Sequence, residues 1–284
     1  DGKSSGTMDD RWAFTTRNPS LDYYTSAALS AASRVLKGYN DTLSNQCLFY
    51  AEKLWKENEP YAQHDTSRFS QGFRNNMEIL AALQLFITTD DDSYARRFNE
   101  KIWSELDRIG MPGLIIALQG YPYMDQDYRN KLKAYVEQHK RNCDNLGKQN
   151  PYGVPIVARG WGGNSDVIKW ATTNYYAHKF FPDIMDSGYV YKGLNYIFGC
   201  HPYSNISFVS AVGARSKKIT YGNNRADFSF IAGGVVPGLL ILKPDFPENK
   251  EDWPFLWGEN EVTVGICADY IFLSSAVQYL LKEK

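Results

Sequence analysis

The stretch Asp252-Trp253-Pro254-Phe255-Leu256-Trp257-Gly258-Glu259-Asn260-Glu261 sets three carboxylates among three aromatic side chains, immediately ahead of an apolar segment. A carboxylic acid walled by aromatic surface keeps its proton to higher pH, and a protonated carboxyl at neutral pH is what cleavage of a glycosidic bond requires. The same residues also read as a helix start. Glu259 and Glu261 would then lie near a helix N-terminus, where the dipole favours the carboxylate and lowers its pKa. That placement works against the acid role. Trp161, beside Gly162 and Gly163, is either a platform for a sugar ring or a loop anchor. Asn223-Asn224-Arg225-Ala226-Asp227 offers hydrogen-bonding groups for hydroxyls, or forms a solvated turn.

Other chemistries find less support. Cys47, Cys143, Cys200 and Cys267 form no C-x-x-C pair, and the four histidines are equally dispersed, which disfavours zinc. Cys47, Cys200 and Cys267 lie in apolar surroundings and read as buried thiols. Gly233-Gly234 and Gly258 are too sparse to cradle a phosphate, and no G-x-S-x-G nucleophile elbow occurs. His201-Pro202 reads as a helix end, with the imidazole near the negative pole. Asn40-Asp41-Thr42 and Asn205-Ile206-Ser207 fit the glycosylation sequon, a short and common pattern.

A formal net charge of −1 provides no footprint for nucleic acid or an anionic membrane. No uninterrupted run of eighteen apolar residues occurs, and on that count no membrane span is expected. No signal peptide is recognised, and the opening Asp1-Gly2-Lys3-Ser4-Ser5-Gly6 reads as a cut loop or a mature terminus. Aromatic content is 15%, which suits sugar binding and ordinary core packing alike.

The elements that must carry these residues are helical. Leu21, Tyr24, Ala28, Ala31 and Val35 recur at three- and four-residue steps behind a start at Asn18-Pro19-Ser20. Further stripes are Leu43, Cys47, Tyr50 and Leu54, then Met77, Leu80 and residues 83–87, then Tyr94, Phe98, Ile102, Leu106 and Ile109. A short apolar piece at 114–118 follows, then Leu132, Tyr135, Val136, His139 and Cys143. Helices over about 167–181, 189–198 and 261–281 complete the series, about eight segments in all. Wide stripes joined by short turns predict a large all-α body of antiparallel hairpins. Residues 148–164 and 201–257 break the pattern with Gly, Pro and aromatics, and long ordered loops are where a site is expected.

The order of several motifs resembles the C-terminal part of the glycoside hydrolase family 9 catalytic domain, the cellulase family with an (α/α)6 barrel. Asp252, Trp257, Glu261, Thr263 and Ala268 fit one family signature, with Lys250 in place of an aromatic and Cys267 in place of Asn. Ser207, Val209, Ser210, Gly213 and Arg215 fit the start of another. Where that signature ends in His-x-Arg, this chain has Thr220, Tyr221 and Asn223, which puts plain cellulose specificity in doubt. Asn150-Pro151-Tyr152-Gly153-Val154-Pro155, Trp161-Gly162-Gly163-Asn164 and Leu194-Asn195-Tyr196-Ile197-Phe198-Gly199 resemble family stretches in the same order. So do Asn18-Pro19-Ser20-Leu21-Asp22 and a Glu78 opening a later helix.

The resemblance implies an all-α (α/α)6 barrel, incomplete in this chain, with residues 1–284 forming the C-terminal portion of one catalytic domain. It implies an inverting hydrolase of β-linked oligo- or polysaccharides, secreted or periplasmic, and neither a cofactor nor a metal ligand is expected among the site residues. Glu261 inherits the general acid role and Asp252 that of a supporting carboxylate. Trp161, Tyr221, Arg225 and Trp257 are expected at the sugar, with Tyr221 and Arg225 standing in for the His and Arg. The family's base lies in an Asp-x-Gly-Asp-type motif that these residues lack, so it is expected from an N-terminal part of the same domain. The rival readings are a non-catalytic carbohydrate-binding protein on the same scaffold and a different (α/α)-barrel enzyme, such as a polysaccharide lyase.

Overall fold

A computed structural model describes residues 18–58, 68–155, 162–201, 205–218, 220, 230–238 and 257–282. Ten α-helices stand among them: α1 (Pro19–Leu36), α2 (Asp41–Asn58), α3 (Arg68–Thr89), α4 (Asp92–Ile109), α5 (Met111–Gly120), α6 (Gln126–Gln149), α7 (Asn164–Phe180), α8 (Gly188–Ile197), α9 (Trp257–Asn260) and α10 (Val264–Lys282). Isolated β-bridges join Ser207 with Ser216 and Val209 with Val235. The chain divides into two compact units, Asp1–Glu105 and Leu106–Lys284.

In the first unit α1 packs on α2 and α3. Its start is the expected one, since Asn18 Oδ1 accepts from the Leu21 N–H and Pro19 occupies the first turn, where no backbone donor is needed. Its buried face is a different one. Tyr23, Ser26, Ala27, Ser30 and Ser33 are buried, whereas Leu21, Tyr24 and Val35 face solvent. In α2 the stripe slips by about one position, to Ser44, Cys47, Ala51 and Trp55. Small side chains let the backbones approach, and each buried hydroxyl finds a neighbour's oxygen. Ser26 Oγ donates to the Ala51 carbonyl and Ser30 Oγ to that of Gln84, both at 2.8 Å. Ser44 Oγ donates to the Ser33 carbonyl, also at 2.8 Å.

Glu78 lies midway along α3 and does not open a helix. Its buried carboxylate accepts from Arg97 Nε at 2.6 Å and Lys101 Nζ at 2.5 Å on α4. The stripe expected for α4 is the buried one at Tyr94, Phe98, Ile102 and Leu106.

In the second unit α7 is the hub, packing on α5, α8 and α10. The face of α6 that buries Leu132, Val136, His139 and Cys143 matches the expected stripe except at half-buried Tyr135. Cys143, not Cys200 or Cys267, joins Cys47 as a buried thiol; Cys200 is exposed and Cys267 half-buried. Trp170 Nε1 donates to Cys143 Sγ at 3.3 Å, and burial pushes that thiol up to about 11, which keeps it protonated and unreactive. By length and composition α10 could cross a membrane, which the absence of a long uninterrupted apolar run had excluded. It buries Ile266, Leu273, Ala276, Val277 and Leu280 and packs on α7 and α8, leaving Val264 and Ile271 exposed.

Candidate active site

The motif-bearing loops of the second unit are joined by backbone hydrogen bonds that begin at the end of α8. There Phe208 N–H donates to the Ile197 carbonyl at 2.9 Å, and His201, buried against Tyr196 and Phe208, donates from Nε2 to the Tyr196 carbonyl at 3.0 Å. The expected pairing of His201 with the negative end of a helix is therefore present. Asn150-Pro151-Tyr152-Gly153 closes into a turn in which Asn150 Oδ1 accepts from the Tyr152 and Gly153 N–H groups. Tyr152 packs edge-on against Tyr196 and His201.

From Phe208 the path runs to the segment before α9. Val236 N–H donates to the Phe208 carbonyl at 3.0 Å, and Asn164, at the first position of α7, grips the next residues. Its N–H donates to the Pro237 carbonyl at 2.9 Å and its Nδ2 to the Val236 carbonyl at 2.8 Å. Gly162 N–H then donates to the Gly258 carbonyl at 2.6 Å, and Gly238 N–H to the Glu259 carbonyl at 3.3 Å. Glycine is required at both positions. A Cβ on Gly162 would stand 2.3 Å from the Gly238 carbonyl oxygen, and one on Gly238 would stand 2.4 Å from the Asn164 amide. Gly238 also has a φ of +91°, in the left-handed region.

Glu261 is half-buried and follows α9 directly, three residues ahead of α10. The last helix thus begins at Val264 and not at Glu261. Thr263 Oγ1 accepts from the Ile266 N–H in its first turn. Glu259 lies in the first turn of the short α9 and is buried. The helix-start reading therefore applies to Glu259, while Glu261 stands between two helices. Asp252, Trp161, Tyr221 and Arg225 lie outside the described residues, as does the side chain of Trp257.

Beside this junction is a cavity of about 320 Å³ lined by Gly162, Lys169, Pro237, Thr263 and Asp269. Burial raises the pKa of the Asp269 carboxyl from its ordinary value, and the Lys169 charge partly opposes the shift. The sequence reading missed Asp269. Its signal was there to be read, since it is the single carboxylate in the apolar α10. Among the described residues no group of three or more His, Cys, Asp and Glu side chains could hold a metal ion.

The glycosyl hydrolase family 9 model matches residues 4–273, and the chain belongs to that family. A cellulose 1,4-beta-cellobiosidase of Acetivibrio thermocellus is 21% identical over 309 aligned residues, covering 88% of this chain and 34% of the relative. A family 9 structure from Bacteroides ovatus superposes with a TM-score of 0.70 at 18% identity, over 96% of this chain and 56% of that one. The endoglucanase of the termite Nasutitermes takasagoensis gives a TM-score of 0.69 at 18% identity, over 92% of this chain and 65% of that one. These likenesses show the fold, which is all-α and of the (α/α)6 class. The chain spans about a third of the curated relative and between half and two thirds of the two solved chains.

Proposed function

We propose that this chain is the C-terminal portion of a single catalytic domain that hydrolyses β-linked glucan-type poly- or oligosaccharides with inversion. The observation that carries the reading is the junction at Gly258 and Glu259, which the backbones of Gly162 and Gly238 hold just ahead of a half-buried Glu261. A backbone clamp of this kind fixes a carboxyl in place without charging its surroundings. Glu261 protonates the leaving glycosidic oxygen, and Asp252 orients substrate or water. Trp161, Tyr221, Arg225 and Trp257 hold the sugar by stacking and by hydroxyl contacts. The base that activates water comes from another part of the same domain, since these residues carry no Asp-x-Gly-Asp-type motif, and inversion sets it about 6.5–9.5 Å from Glu261 with water between them. Such an enzyme meets its polymeric substrate outside the cytoplasm, in a secreted or periplasmic location.

The test uses the complete domain. Glu261→Gln lowers turnover of unactivated β-glucosides by ~10²–10⁴-fold and spares substrates with very good leaving groups. Proton NMR of the first product shows the α-anomer. An initial β-anomer, or near-normal turnover by the variant, refutes the assignment. The altered end of the signature that begins at Ser207, with Thr220, Tyr221 and Asn223, favours one second reading, a carbohydrate-binding protein on the same scaffold. That reading requires saturable oligosaccharide binding by the complete domain with no release of reducing ends.

A further inference from the structure

The first unit contains a cavity of about 370 Å³ that the hydrolase reading does not use. One wall is aromatic: Trp55 meets Tyr23 and Tyr94 edge-to-face, with ring centroids 5.3 and 5.4 Å apart. The other wall is charged. Glu78, with 1% of its side chain exposed, belongs to this lining, and each of its oxygens is taken by one cation of α4. A buried carboxylate needs that pairing to be tolerated at all.

The pairing also orients Arg97. Its Nε is committed to Glu78, and its side chain is 39% exposed, which leaves the terminal NH₂ groups open to solvent. Arg96 and Glu100 line the same cavity. Arg97 and Lys101 outnumber Glu78 by one positive charge, Arg96 balances Glu100, and Asp91, which interacts with Arg96, is offset by Lys56. A guanidinium held by its Nε presents a planar fork, whose best complement is the two oxygens of a carboxylate. A dianion would meet the Glu100 carboxylate, and a neutral molecule would leave the positive charge unanswered. The volume equals that of roughly a dozen water molecules at about 30 Å³ each, which is room for one sugar ring with its substituents.

We propose that this cavity binds a hydroxylated monocarboxylate of single-sugar size, a hexuronic or hexonic acid. Its carboxylate sits on the Arg97 fork, Arg96 adds charge, and Glu100 accepts from a ring hydroxyl. The site depends on neither Glu261 nor turnover, so it stands or falls separately from the hydrolase reading.

The experiment is titration of the full chain with D-glucuronate, D-glucose and glucose 6-phosphate, followed by calorimetry or saturation-transfer NMR. Glucuronate binds saturably and at least about tenfold more tightly than glucose, a difference of about 1.4 kcal/mol. Added salt weakens its binding. Arg97→Lys, which keeps the charge but loses the fork, costs about tenfold in glucuronate affinity. Glu100→Gln leaves the Glu78 pairing intact and raises affinity for glucose 6-phosphate. Equal binding of glucuronate and glucose, or a wild-type preference for the phosphate, overturns the proposal. So does a Glu100→Gln variant that folds normally by circular dichroism but discriminates between the two anions as before.

Discussion

Helices α1 and α4 carry equally regular apolar stripes, yet they use them in opposite ways. In α4 the stripe is the buried face, with Phe98 and Ile102 wholly enclosed. In α1 Leu21, Tyr24 and Val35 point outward, Val35 being 82% exposed, and Tyr23, Ala27 and three serines occupy the buried face. Apolar periodicity therefore marks a face that needs cover without saying which neighbour provides it. Where the nearest partners pack through small hydroxyl residues, the large side chains are left for something else. On the reading proposed above, that cover is the remainder of the catalytic domain. Residues expressed without it would bind a hydrophobic dye through the open face.

The contrast can be broken by mutation. Phe98→Ala on α4 costs about 3–5 kcal/mol of stability in denaturant unfolding, from lost burial and the cavity left behind. Leu21→Ala on the outward face of α1 has far less effect. Equal losses would mean that the two faces are covered alike.

Ser30→Val tests the small-residue interface. Ser30 is fully buried, and its Oγ donates to the Gln84 carbonyl. Added bulk and the lost hydrogen bond cost about 1–3 kcal/mol by the same assay. A neutral or stabilising result would show that α1 and α3 have room for larger side chains.

A smaller effect follows pH. His139, on the covered face of α6, has its pKa lowered from 6.5 by burial, with the hydrogen bond to Asn174 opposing the shift. The folded protein thus disfavours the imidazolium, and the unfolded chain binds more protons below pH 6.5. The contribution of His139 is fully present above that value and is lost as pH falls toward the lower folded pKa. Denaturation midpoints drop between pH 7.5 and 5.5 in the wild type, and they drop less in His139→Gln. Identical pH dependence in the two proteins would remove His139 as the cause.

The smallest effect is expected on the outward face itself. Val35→Thr changes stability by no more than about 0.5 kcal/mol, and together with Tyr24→Ser it reduces dye binding. A loss of several kcal/mol would show that this face is already covered within the chain.

Most of the helices and the family could be read without a structure, because each depends on residues close together in the chain, although the starts of α3 and α10 could not. Asn18-Pro19-Ser20 starts α1 by local capping, and the α4 stripe needs only a 3.6-residue period. The collinear motifs from Asn150 through Glu261 are equally local, and they identified the family before any fold was known. Tertiary structure decided what depends on residues distant in sequence. Ser30 rather than Val35 is buried because α3 approaches closely enough to present the Gln84 carbonyl. Glu78 is an internal ion-pair centre because α4 brings Arg97 and Lys101 to it. The glycines at 162 and 238 are explained only when their backbones meet each other and the chain ahead of Glu261. Sequence periodicity reports what one helix offers, and close approach between backbones depends on both partners at once.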